Sequence, residues 1–285
     1  MTIAACYLSN EGVVFGADST TTTAIEGDEH HFNYGQKVFE VGEGQSLAIS
    51  TWGLGALPDV SYRTLVARFA DQLAAAPSVS VLDAASRWSN LFWSEYSAQL
   101  AVALQRFREL TAKTNRTADE NQELAQLSHN TIVGLCIGGH LKKDRTPEAF
   151  ELVFSFDQAV PPSPKPLLPG VASFQGWPVM INRLIWGIDA EVYTAILNSG
   201  KWAGSEDELV EVALSKRFIQ PNILPLREAI DFIHSAIYTT IKAMKFSQFR
   251  PYCGGPIEIG VISSDRKFRW VTHKEFDIAP QETWP

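Results

Sequence analysis

The first eighteen residues restrict the fold of this chain more than any other segment. Two short apolar runs, Ile3–Leu8 and Val13–Ala17, flank the turn Ser9-Asn10-Glu11-Gly12. Apolar runs of strand length joined by so short a polar turn read as a β-hairpin. A hairpin at this point ties the start of the chain into a sheet. Thr2 then opens the first strand, and Asp18, at the end of the second, lies beside it. If Met1 is removed, Thr2 carries a hydroxyl nucleophile and its own base, the free α-amine. If Met1 stays, Thr2 is simply a strand residue.

A second hairpin follows. Gln36–Val41 and Leu47–Gly53 flank a turn at Gly42-Glu43-Gly44-Gln45, and Lys37 is a lone cation in an otherwise apolar or aromatic stretch. Together these segments resemble the proteasome-type N-terminal nucleophile (Ntn) hydrolases. The matching residues are Thr2-Ile3-Ala4, then Gly12-Val13-Val14 with Gly16-Ala17-Asp18-Ser19, then Lys37-Val38-Phe39 with Val41. The likeness is strong over Thr2–Asp59 and weaker at Gly170–Gly187 and Cys253–Val271. The loop after Thr20, through Ile25, Asp28, His30 and His31, must be longer than is usual in that family.

The resemblance implies a bacterial proteasome β-subunit-like chain with an α+β fold, a four-layer αββα sandwich. It would be a single Ntn-hydrolase domain over residues 1–285 with a helical insertion at about 111–130. It also implies catalysis by Thr2, Asp18 and Lys37. Lys37 beside the threonine hydroxyl would lower its pKa, and Asp18 would hold Lys37 charged. A buried ion pair is a poor device for stability alone, because desolvation offsets its attraction, so its presence leans towards function. In the opposing reading Lys37 snorkels from a strand edge and never meets Asp18. An oxyanion donor is expected from a backbone N–H at Thr51, Trp52 or Gly53. Departures from the family fall at Arg250, Cys253 and Gln175, where groups that orient the amine are usual.

Composition agrees with an enzyme of the cytosol. A chain of 285 residues, 45% hydrophobic, can bury a large core. The net charge of −8 disfavours nucleic acid and acidic membranes as partners. Cys6, Cys136 and Cys253 show neither disulfide nor zinc spacing and suit reduced thiols. No secretory leader is expected, because Met1-Thr2-Ile3 runs into a patterned strand without a basic segment. No apolar run approaches a membrane span. His30-His31 beside Asp28 and Glu29 is a weak metal candidate, since adjacent histidines on an extended chain point apart. No cofactor is expected.

Helices are expected after the hairpins. Asp59 or Ser61 can cap the first. A longer one runs from Val81 to Leu110, and the box Thr117–Glu120 starts a short helix to Leu127. Strands resume at Thr131–Ile137, Ala149–Ser155 and Val171–Phe174. Ser205–Glu208 is a second capping box, Pro225 starts a long helix, and Gly255–Ser263 with Phe268–Thr272 forms the last hairpin. Large apolar groups at Trp88, Leu91, Phe92, Trp93 and Tyr96 exceed one inward stripe and suggest a subunit contact.

The function expected is a threonine peptidase that acts by Thr2 acyl transfer in a self-compartmentalising homo-oligomeric ring or stack. The alternatives are an Ntn amidase on a small amide and a non-catalytic ring or scaffold subunit.

Overall fold

The computed structural model describes residues 2–25, 28–219, 222–248 and 252–274, with the backbone alone for 23–25 and 28–29. Met1 and Arg250 lie outside them. The chain opens with β1 (Ile3–Ser9), β2 (Gly12–Ala17), β3 (Thr21–Ile25), β4 (Asp28–Phe32), β5 (Val38–Glu40) and β6 (Leu47–Gly53). Helices α1 (Tyr62–Ala75), α2 (Val81–Gln99), α3 (Ala101–Ala112) and α4 (Ala118–Asn130) follow. Strands β7 (Val133–Gly139), β8 (Glu148–Phe154), β9 (Lys165–Pro166) and β10 (Ala172–Gly176) lead to α5 (Val179–Trp186), α6 (Ala190–Asn198), α7 (Glu206–Ser215) and α8 (Leu226–Lys245). The described part closes with β11 (Glu258–Ser263) and β12 (Arg266–Thr272).

The strands form two five-stranded antiparallel sheets, in the orders β10-β1-β2-β11-β12 and β5-β6-β7-β8-β9, with β3 and β4 paired apart. The side-chain alternation of β1 explains the packing. Ile3, Ala5 and Tyr7 face α5 and α8, where Ile181, Ile185, Ile230, Ile233 and Ile237 meet them. Ala4, Cys6 and Leu8 face the second sheet, against Val38, Ala48, Cys136 and Ala149. Phe39, Leu47, Ile49, Leu135 and Leu152 leave that sheet on its far side and pack on α1 and α2. Strands covered on both faces carry apolar residues at nearly every position, as β1 and β2 do. Gly16 lets α8 close on the sheet, since a Cβ there would lie 2.5 Å from Ile233 Cγ2.

Ser61 caps α1, and both capping boxes, Thr117 with Glu120 and Ser205 with Glu208, are complete. Several expected boundaries change. The loop after Thr20 contains the β3–β4 hairpin, whose threonines and aromatics pair without an apolar alternation to announce them. The helix expected over Val81–Leu110 breaks at Leu100, which redirects α3 so that Leu104 and Leu110 stay buried. α4 runs longer than Glu120–Leu127 and buries no residue; Arg106–Glu123 at 2.6 Å and Lys113–Glu120 at 2.7 Å tie it to α3 and the loop before it.

The surplus of apolar groups on α2 is absorbed by the fold. Trp88, Phe92 and Tyr96 are fully buried, with Phe92 and Phe154 ring centroids 4.6 Å apart. Leu91 and Trp93 are half-buried against the same cluster. The subunit contact argued from these five residues therefore loses its basis: the long strands of the second sheet offer a broader apolar face than one helical stripe. Among the described residues no helix is long and apolar enough to cross a membrane.

Candidate active site

The β1–β2 register brings the start of one strand beside the end of the other. Ala4 pairs with Ala17, and the Asp18 N–H donates to the Ile3 carbonyl at 3.1 Å. The Asp18 carboxylate is fully buried and accepts three backbone N–H groups: Ile3 at 3.1 Å, Thr20 at 3.2 Å and Gly254 at 2.9 Å. Lys37, just before β5, donates from Nζ to Asp18 Oδ1 at 2.6 Å and to the Thr20 carbonyl at 2.6 Å. Its own carbonyl accepts the Thr51 N–H at 2.8 Å, which fixes the backbone on the other side. Such a pair is tolerable in the interior only because nearly every lone pair and proton finds a partner.

Thr2 is buried at 4% exposure. Its carbonyl accepts the Trp177 N–H at 2.7 Å, at the turn after β10. Gly176 makes that approach possible: its φ is +85°, and a Cβ would fall 1.9 Å from the Thr2 carbonyl oxygen. Thr2 and Lys37 line one small hollow, closed by Thr20, Thr51, Gly53 and Tyr62. Of the three residues expected at the site, Asp18 and Lys37 are thus in contact, and Thr2 shares a hollow with Lys37 that Asp18 does not line.

The edge of β6 narrows the choice of backbone donor. N–H groups of alternate residues in an antiparallel strand turn to opposite edges. Leu54 donates to Ile132 at 2.8 Å, so even-numbered residues here face β7. Thr51 faces the other edge and is engaged by Lys37. Gly53 follows with the same facing, one step past the point where β5 begins, and lines the hollow.

A second charged group stands behind the first and was not anticipated from sequence. Glu258 is fully buried at the start of β11. Its Oε2 accepts the Lys37 N–H at 3.4 Å, while Lys274 Nζ and His273 Nδ1 stand 3.3 and 3.0 Å from Oε1. Lys274 also donates to Ser19 Oγ at 3.0 Å and to the Gly35 carbonyl at 2.7 Å. Burial holds the Lys274 pKa below that of a free lysine, against the opposing pull of Glu258. A lone acid in the apolar run Ile257-Glu258-Ile259 was the available signal, of the same kind as the lone Lys37.

At the positions that depart from the family pattern, Cys253 is buried near the pair. Burial pushes its thiol up to about 12, with the Asp18 charge adding to the shift and Lys37 opposing it. Gln175 Nε2 donates to Ser173 Oγ at 3.0 Å and to Glu151 Oε1 at 3.3 Å, and Ser173 also donates to Glu151. These groups bridge β10 to β8 and face the space between the sheets. His30 is exposed, while His31 pairs with Thr22 at 3.0 Å. Among the described residues no group of three or more His, Cys, Asp or Glu could hold a metal ion.

No family model matches the chain, and no curated protein matches it. Among solved structures, the chain is similar to Anbu (ancestral beta-subunit) from Yersinia bercovieri. That alignment covers 95% of this chain and 88% of the other, at 13% identity and a TM-score of 0.46.

Proposed function

We propose that this chain is a proteasome-like N-terminal threonine amidohydrolase, a peptidase that acts through Thr2 once Met1 is removed. The observation that carries the reading is the buried Lys37–Asp18 contact at 2.6 Å beside the hollow that Thr2 lines. The layer order, helices against each outer face of two packed sheets, supports a four-layer αββα sandwich built as one domain, with α4 in the insertion at about 111–130.

The chemistry follows from these groups. The Thr2 hydroxyl attacks the substrate carbonyl carbon, and its proton passes to the α-amine. An amine of pKa near about 8 suits that exchange at neutral pH. The Lys37 ammonium lowers the cost of alkoxide character at the hydroxyl, and Asp18 keeps Lys37 charged and aimed. The Gly53 N–H is the donor we assign to the tetrahedral oxyanion. Collapse breaks the C–N bond, the leaving amine takes the proton from the α-ammonium, and an ester remains on Thr2. Water then attacks that ester, giving its proton to the α-amine, and releases the acid and free Thr2. No metal or organic cofactor enters these steps.

One observation favours a second reading, a non-catalytic relative. Gln175 and Ser173 are engaged with Glu151, and Cys253 carries a neutral thiol where the family usually has a hydroxyl. Incubation with a small β-lactone, followed by intact mass, separates the two: one acyl group on Thr2 supports the hydrolase, and an unmodified chain supports the inert relative. Assembly into a closed homo-oligomer would favour peptides as substrates, and an open monomer or dimer a small amide.

A further inference from the structure

A cleft of about 570 Å³ opens beside the catalytic hollow and shares Thr21, Gln36, Gly55 and Tyr62 with it. Four aromatic residues line it: Phe32, Tyr34, Phe39 and Tyr62. Phe39 and Tyr62 form the buried floor, and the Tyr62 hydroxyl is turned away to the Leu54 carbonyl. Phe32 and Tyr34 stand at the mouth, 55% and 65% exposed, where nothing among the described residues covers most of their surface. Between them in sequence, Asn33 turns its amide oxygen to Thr20 Oγ1 at 2.9 Å.

The polar groups of the cleft narrow what it can take. Arg63, His273 and Lys274 line it, but no Asp or Glu does among the described residues. A cationic side chain entering it would lose hydration and meet no carboxylate. An anionic one would meet cations that already have internal partners. Lys274 is held by Glu258, Ser19 and Gly35. Arg63 donates to Gln36, and His273 stacks on Trp270 at 4.0 Å while approaching Glu258. The contact on offer is therefore ring surface. Large apolar groups gain most from covering it, because the rings lose water without giving up a hydrogen bond.

We infer that this cleft is the specificity pocket of the enzyme, and that it selects substrates with an aromatic or large apolar side chain next to the attacked carbonyl and rejects basic ones. The inference rests on the proposed threonine chemistry. The hollow that Thr2 lines and the cleft share Thr21, Gln36, Gly55 and Tyr62, so the cleft is the neighbouring space into which the side chain of an acyl group on Thr2 would extend.

The test uses the full chain and a series of peptide epoxyketones that differ only in the side chain beside the warhead: Phe, Leu, Ala or Arg. The rate of modification of Thr2 is followed by intact mass and peptide mapping. A small β-lactone without a side chain reports the nucleophile alone. The expected order is Phe and Leu about tenfold or more above Ala, with Arg slowest, since a filled apolar pocket discriminates by roughly 10–200-fold. Tyr34→Ala and Phe32→Ala each bring the Phe-to-Ala ratio towards one. Arg reacting as fast as Phe, or a Phe-to-Ala ratio unchanged in both variants, would overturn the pocket while β-lactone labelling of Thr2 upheld the chemistry. Failure of the β-lactone to label Thr2 would remove the chemistry and the pocket with it.

Discussion

Lys274 Nζ stands 3.3 Å from one oxygen of Glu258, and the other oxygen of that carboxylate accepts the Lys37 N–H at 3.4 Å. The buried pair Lys37–Asp18 and the pair Lys274–Glu258, of which Glu258 is fully buried and Lys274 partly, thus share one backbone segment, Gly35–Lys37. Removing the carboxylate leaves Lys274 with only Ser19 and the Gly35 carbonyl. Glu258→Gln should lower stability by about 1–3 kcal/mol. Replacing both partners, as Glu258→Leu with Lys274→Met, should cost less than the single change. Urea unfolding midpoints check this, and a double variant less stable than Glu258→Gln would show that the pair does not act as a unit.

Lys37→Ala and Asp18→Asn should each lower turnover by of the order of 10²-fold or more, with the double variant little worse than either. Lys37 touches both Asp18 and the Thr20 carbonyl within 2.6 Å, so the planar guanidinium of Lys37→Arg should not restore the rate. Single-turnover kinetics on an aminocoumarin amide measure it. Near-normal activity in Lys37→Ala would exclude the proposed role.

The thiol of Cys253 should stay unreactive while the chain is folded. Its pKa is raised from 9.0 to about 12, so the folded state holds the proton more tightly than the unfolded state. The stabilisation tied to that proton is full below pH 9 and is lost as pH rises towards 12. Alkaline unfolding should therefore be shallower in Cys253→Ala than in the parent. Iodoacetamide at pH 8 should modify Cys253 only in urea, and rapid modification of the native chain would contradict its buried, neutral state.

Glu120→Gln combined with Glu123→Gln, which breaks both ion pairs of α4, should leave the fold intact, because surface pairs are worth little each and Leu127 keeps α4 against the core. The thermal midpoint should move by only a few degrees. A parent chain that sediments as a monomer at micromolar concentration would remove the ring and favour a small amide as substrate.

Local signals carried much of this architecture. Turns between apolar runs located β1–β2, β5–β6 and β11–β12, and side-chain caps located α1, α4 and α7. Asp18 and Lys37 were legible because each is a charge at the end or start of an apolar strand. Pairings across long separations were not. Glu258 meets Lys37 across 221 residues, and nothing in either segment names the other. The β3–β4 hairpin was hidden because threonine and histidine pair well on a strand without marking a buried face. The break at Leu100 follows from where α3 must run to bury Leu104 and Leu110, which is a tertiary demand. The proposal of Gly53 as donor rests on the facing of β6, which no local sequence pattern shows.

The central claim is that Thr2 is the nucleophile, freed by loss of Met1 and activated beside the Lys37–Asp18 pair. Intact mass of the purified chain, before and after a small β-lactone, tests it most directly. The account predicts a chain lacking Met1 that gains a single acyl group, mapped to Thr2 and abolished in Thr2→Ala. A chain that wholly retains Met1 and gains nothing, or one acylated on Cys6, Cys136 or Cys253 instead, would contradict it.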